Sequence, residues 1–155
     1  MKKLLSTIIF LALAVTPALA AKFASVSSET ANIRSCGGTN CAVKWKAWRY
    51  TPLAMTAVSK DKAWVQVKDF EGHTGWIHNT LLGTTVGVSA KTDLNVRKDA
   101  SASAEIACTV EKGYAFRFHE KKGNWLRVSD SPEKKGDPVC EGWVFAANVW
   151  APAVK

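Results

Sequence analysis

The 155-residue sequence lacks the short signatures that most often mark an enzyme. It has no H-x-x-x-H pair, no G-x-S-x-G around a nucleophilic serine and no phosphate-binding glycine loop. Its carboxylates are scattered through turn-like stretches, so nothing supports the paired acids of glycoside hydrolysis. Basic residues never run longer than two in a row, which excludes a polybasic tract. Past the N-terminal segment, no stretch is apolar enough to span a bilayer. No window there keeps a helical period for more than about two turns. The expectation is a chain without catalytic residues, metal or cofactor, built from strands.

What is present begins with the leader. "MKKLLSTIIFLALAVTPALA" places Lys2 and Lys3 before an apolar run from Leu4 to Val15, then Pro17 and the small-residue ending Ala18-Leu19-Ala20. This pattern predicts a secretory signal peptide over residues 1–20, cleaved after Ala20. Ala21 is not a cysteine, which argues against a lipid anchor. Loss of Lys2 and Lys3 takes the formal charge from +8 to +6. A basic exported chain meets membrane surfaces, cell-wall polymers and acidic glycans, and nucleic acid is not the expected partner. The predicted location is periplasmic or secreted.

All four cysteines lie beyond the leader, at positions 36, 41, 108 and 140. An even count in an exported chain predicts disulfides. The C-x4-C spacing of Cys36 and Cys41 is unlike a zinc knuckle, and Cys108 and Cys140 are farther apart still. Of the three possible pairings, Cys36–Cys41 with Cys108–Cys140 keeps each bond inside one internal repeat. A cysteine–histidine nucleophile would need a free thiol, and these bonds leave none.

The repeat is visible in its landmarks. Asn32-Ile33-Arg34 recurs as Asn95-Val96-Arg97, each followed by small turn-forming residues. "WVQVKDF" from Trp64 recurs as "WLRVSDS" from Trp125. "EGHTGWIHNTLL" closes the first copy on Gly75-Trp76, and "CEGWVFAANVW" closes the second on Gly142-Trp143. The second copy is longer between its last two landmarks, and the extra residues in "SDSPEKKGDPVCEG" suit an exposed hairpin tip. Period-2 alternation predicts strands in "LAMTAVS", "WVQVKDF" and "YAFRFHE". The matched positions of Trp64, Trp76, Trp125 and Trp143 assign those four mainly to the core. His73 is expected at an exposed tip between Gly72 and Gly75.

In residues 30–83 the N-[IV]-R opening, the "VKW" at Val43–Trp45, the W-x-x-V strand, the G-W-[IV] ending and the final Leu81-Leu82 resemble a bacterial SH3 domain of the SH3b, or SH3 type 3, group. Residues 92–150 resemble it more loosely, keeping Asn95-Val96-Arg97, Trp125 and Gly142-Trp143. The resemblance implies an all-β chain: two tandem small SH3-like barrels of about five to seven strands, over 22–83 and 88–152, after the leader. It also implies a non-catalytic module that binds a cell-envelope component, with peptidoglycan or a peptide as the ligand. An envelope scaffold that binds a protein partner, with no glycan binding, is the alternative. The Gly-Pro usual after N-[IV]-R is replaced by Cys36-Gly37-Gly38 in one copy and Asp99-Ala100-Ser101 in the other, which implies loops of its own.

The segment "KWKAWRY" supplies the candidate site: Lys44, Trp45, Lys46, Trp48, Arg49 and Tyr50. Alternation places Lys44, Lys46, Trp48 and Tyr50 on one side and Trp45 and Arg49 nearer the other. Tryptophan beside arginine and lysine suits sugar stacking or carboxylate capture.

Overall fold

The computed structural model describes residues 22–130 and 139–154. The leader, and the insertion tip at 131–138, lie outside the described residues. Fourteen strands form two antiparallel sheets of seven each, and the only helical pieces described are single 3-10 turns at Asn79–Leu81 and Ala146–Asn148. No helix among the described residues is long and apolar enough to cross a membrane.

The first sheet contains β1 (Lys22–Val26), β2 (Thr30–Arg34), β3 (Val43–Trp48), β4 (Pro52–Val58), β5 (Trp64–Lys68), β6 (Thr74–His78) and β7 (Leu82–Gly83). The second contains β8 (Gly87–Ala90), β9 (Leu94–Arg97), β10 (Ile106–Val110), β11 (Ala115–Lys122), β12 (Trp125–Ser129), β13 (Glu141–Phe145) and β14 (Val149–Trp150). Their spatial orders are β3-β2-β6-β5-β4-β1-β7 and β10-β9-β13-β12-β11-β8-β14. Adding seven to every strand number of the first gives the second. The sequence repeat is therefore a repeat of topology.

Each sheet curls around one core. Val26 of β1, Ile33 of β2, Ala47 of β3, Leu53 of β4, Val65 and Val67 of β5 and Ile77 of β6 meet in a single buried cluster. Strands distant in the sheet order can share a cluster only if the sheet closes on itself. Val88, Val96, Phe116, Leu126, Val128 and Val144 do the same in the second barrel. Each fully buried aliphatic side chain of this kind contributes about 1.5–3 kcal/mol. Breaks in register after Met55 and Phe118 place a β-bulge at matched points of β4 and β11, where the strand bends around the core.

The aromatic expectation needs correcting. Trp64 is buried at 8% exposure, but it belongs to neither core cluster, while Trp76, Trp125 and Trp143 are half-buried. Alternation explains this. Val65 and Val67, Leu126 and Val128, Ile77 and Val144 take the inner face, so the tryptophans beside them must face outward.

The two barrels are docked. Gly87 at the start of β8 donates its N–H to Ser25 Oγ of β1 at 3.1 Å, in a buried contact. Phe23 meets Trp150 edge to face at 6.0 Å. Lys112 Nζ lies 2.6 Å from Glu71 Oε1 and 5.9 Å from the Phe70 ring. Tyr50, at a left-handed φ of 67°, turns its carbonyl toward the same junction. A Cβ on Gly87 would stand 1.8 Å from that oxygen. Gly87→Ala is therefore expected to separate the barrels while leaving each core intact. Small-angle scattering should show a larger radius of gyration, and trypsin should cut faster between the barrels. An unchanged radius would mean that the junction absorbs the methyl group.

Candidate binding face of the first barrel

The outward side of β2, β6 and β5 gathers polar and aromatic groups in register. Arg34 stands opposite Trp76, Trp76 opposite Gln66, Trp64 opposite His78, and Asn32 opposite Lys46 on β3. A recess of about 350 Å³ opens there, lined by Thr30, Ala31, Asn32, Arg34, Thr39, Lys46, Trp64, His78 and Leu81. That volume lies in the range of small-ligand sites. No Asp or Glu lines it.

Local chemistry builds its walls. The Cys36–Cys41 disulfide, with Cα atoms 5.6 Å apart, closes the loop between β2 and β3. Arg34 holds that loop from the strand side by donating from Nη1 to the Cys41 carbonyl at 2.7 Å. Gly37 presses directly on Trp64, since a Cβ there would lie 3.0 Å from Trp64 Cβ and 3.2 Å from Cγ. The loop thus buries an outward tryptophan and presents Thr39 to the recess. On the other side the His78 and Trp64 rings meet edge to face at 5.3 Å, and His78 Nδ1 shares a hydrogen bond with Thr80 Oγ1 at 2.8 Å.

The second barrel builds the same face from different residues. Arg97 Nη1 donates to the Ala104 carbonyl at 2.7 Å, matching the Arg34 clamp, but this turn closes without a disulfide. Trp125 meets Phe145 at 5.4 Å where the first barrel has Trp64 and His78. A recess of about 400 Å³ on this barrel lies at a different place, lined by Lys98, Arg127, Glu141, Gly142 and Trp143, where the first barrel has Ser35, Gln66, Thr74, Gly75 and Trp76. Arg127 lies across it, 2.8 Å from Glu141 Oε1 and 3.3 Å from Glu120 Oε1. Hydrogen bonds to Glu141 and then Glu120 raise its pKa above the ordinary guanidinium value. Beyond them, His119 Nε2 is 2.7 Å from Ser129 Oγ, and burial, then the neighbouring Arg117, pushes its pKa below the ordinary imidazole value.

The six residues of "KWKAWRY" point in several directions. Lys46 lines the recess. Lys44 Nζ donates to the Thr74 carbonyl and lies 5.6 Å from the Trp45 ring. Trp45 packs against the first core, with its ring 6.2 Å from His73. Trp48 stands 57% exposed on β3, an edge strand. Arg49 is half-buried and its Nε has no hydrogen-bond partner. Tyr50 belongs to the junction described above.

Reading the sequence missed Asn32, Arg34, Thr39, Trp64 and His78 as one surface. Asn32 and Arg34 entered only as a fold signature, and Trp64 as core. The available signal was the alternation of "WVQV": once Val65 and Val67 are inside, Trp64 and Gln66 are outside. His73 is exposed, as its turn predicts, with Nδ1 3.0 Å from Asp69 Oδ2. Asp69, Glu71 and His73 lie close enough to hold a cation. Asp69 Oδ1, however, accepts the N–H groups of Glu71 and His73, and Glu71 is paired with Lys112, so turn and junction account for the cluster. The disulfides are Cys36–Cys41 and Cys108–Cys140, and no cysteine is free.

Two seven-strand barrels of one topology, each closed by a Gly-Trp strand and opened by an arginine-clamped turn, define a tandem of small SH3-like domains. Residues 27–83 match one description of a bacterial SH3 domain and residues 92–149 match another. The chain belongs to the bacterial SH3 domain family, with one domain in each half. No curated protein matches it. Among solved structures it is similar to NlpC2 and NlpC1 from Trichomonas vaginalis, each at 10% identity and a TM-score of 0.36. These matches cover 84% and 92% of this chain but 48% and 50% of the other chains, so it spans about half the length of those proteins.

Proposed function

We propose that the protein is a non-catalytic binding module of the cell envelope that recognises peptidoglycan or a peptide, with the first barrel as the ligand-bearing unit. In this reading residues 1–20 direct export and are removed, the protein works in the periplasm or outside the cell, and 22–83 and 88–152 are its two units. The observation that carries it is the recess of about 350 Å³ on the first barrel, lined by Arg34, Lys46 and His78 with no carboxylate among its walls. Two disulfides that consume all four cysteines suit an oxidising compartment.

Retention on insoluble peptidoglycan is the direct test. The wild type should sediment with it, and Lys46→Glu should reduce retention at least tenfold by placing a negative charge on the wall. Absence of retention for the wild type would overturn the reading. The second reading, an envelope scaffold, draws support from Trp48, a largely exposed tryptophan on an edge strand. With no glycan binding, it expects no sedimentation with peptidoglycan and one dominant crosslinked protein partner, lost on Trp48→Ala.

A further inference from the structure

The matched faces of the two barrels differ in a way that specifies the ligand. We infer that the first-barrel recess takes the carboxylate end of a short peptide, and that the second barrel does not share this role. The inference rests on the envelope-binding reading above and narrows it.

Three observations carry it. First, the cations of the first recess are available to a ligand. Arg34 spends one N–H on the Cys41 carbonyl and keeps its remaining donors, and Lys46 is exposed on the rim. A carboxylate is the complementary partner, because charge-assisted bonds to guanidinium and ammonium groups are about twice as strong as neutral ones. On the second barrel Arg97 is bound as Arg34 is, but Thr109 stands opposite Asn95 where Lys46 stands opposite Asn32, and Phe145 takes the place of His78. The equivalent surface therefore lacks the lysine, and Arg127, at the position of Gln66, is bridged by Glu120 and Glu141.

Second, the recess suits amides better than sugar rings. Sugar stacking needs an open aromatic face, yet Trp64 is only 8% exposed beneath the Cys36–Cys41 loop and meets His78 edge-on. The remaining walls, Thr30, Asn32 and Thr39, are hydrogen-bonding groups suited to peptide N–H and C=O. Leu81 supplies an apolar contact for a small side chain.

Third, the disulfide is not needed to close the turn. The equivalent turn in the second barrel closes with Arg97 on the Ala104 carbonyl, Lys98 paired to Glu105, and Ser101 hydrogen-bonded to Ser103. The extra covalent bond in the first barrel therefore fixes Thr39 and Gly37 over the recess, which limits the ordering cost of binding.

The test is a titration of isotope-labelled protein followed by amide chemical shifts. The probes are N-acetyl-D-alanyl-D-alanine, its C-terminal amide, and a tetramer of N-acetylglucosamine. The free acid should shift Asn32, Thr39, Lys46 and His78, leaving Arg97, Arg127 and Trp143 still. The amide should bind at least tenfold more weakly, and the glycan should leave the recess unmoved. Lys46→Gln, and separately Cys36→Ser with Cys41→Ser, should each weaken the acid at least tenfold, with the core amides unmoved as proof of folding. Equal binding of acid and amide, a glycan response at the recess, or equal shifts on the second barrel would overturn the inference. Retention on peptidoglycan distinguishes the two failures. A wild type that sediments but ignores the free acid refutes only the carboxylate assignment, whereas one that does not sediment refutes the envelope reading.

Discussion

Replacing Gly142 by alanine is expected to destabilise the second barrel by about 3 kcal/mol, at the upper end of ordinary overpacking costs. A Cβ at this position would lie 2.3 Å from the Arg97 carbonyl oxygen and 3.0 Å from Val96 Cγ1. The oxygen is backbone in β9, so it cannot rotate away. The cause is the closure of the barrel. β13 meets β9 through the single pair Trp143↔Arg97, and β6 meets β2 through the equivalent pair Trp76↔Arg34. The glycine before each tryptophan sits where two strands cross at close range. At Gly75 the nearest obstacle is Ile33 Cγ2 at 2.5 Å, with the Arg34 carbonyl oxygen at 3.0 Å and Trp45 Cη2 at 3.2 Å. The closest is a side chain with some freedom and the backbone oxygen stands farther off than at Gly142, so Gly75→Ala should cost about 2 kcal/mol. For a barrel of this size, each kcal/mol lowers the melting temperature by roughly 4–8 °C. Thermal unfolding followed by near-ultraviolet circular dichroism would read both variants. A fall of less than about 5 °C for Gly142→Ala would mean that the strand crossing is looser than its geometry implies.

Removing the Cys108–Cys140 bond should cost about 4 kcal/mol on the chain-entropy account, because it closes a loop with a sequence separation of 32. Cys36–Cys41, with a separation of 5, should cost about 2 kcal/mol on the same account. The longer bond also has the harder structural task. It ties β10, an edge strand, to the residue just before β13. Cys140 further exchanges hydrogen bonds with Asp130, accepting from its N–H at 3.1 Å and donating to its Oδ1 at 3.1 Å. The base of the long insertion is thereby pinned from two sides. Denaturant midpoints of the two double-serine variants provide the measurement. Equal losses would show that loop length does not control the effect here.

The repeat was legible because its landmarks are placed by backbone geometry. Glycine recurs at 75 and 142 because strands cross there, and arginine at 34 and 97 because each clamps a turn carbonyl seven residues on. Such residues report topology directly, and the order of the strands in the second sheet follows the first without exception. The disulfide pattern followed from the same repeat.

The site was less legible. "KWKAWRY" drew attention because its aromatic and basic residues are adjacent in sequence, but adjacent residues on a strand point to opposite faces, and Tyr50 has left the strand altogether. Asn32, Thr39, Lys46, Trp64 and His78 come from five separate places in the chain. They share a wall only after β2, β6 and β5 are laid side by side.

Composition, alternation and recurrence along the chain pointed to an all-β protein with two copies of one unit and favoured one pairing of its cysteines, while the barrel was implied by the resemblance to bacterial SH3 domains. Period 2 separates the residues of a strand into two sets, yet it does not say which set faces inward. Closure of the sheet did that: the space inside so small a barrel admits Val65, Val67 and Ile77 and turns Trp64 and Trp76 outward. The recess, the neutralised face of the second barrel and the docking of Gly87 against Tyr50 all depend on contacts between distant segments. Contacts of that kind leave no periodic trace in a sequence, because they are set by where strands meet and not by the order in which residues are joined.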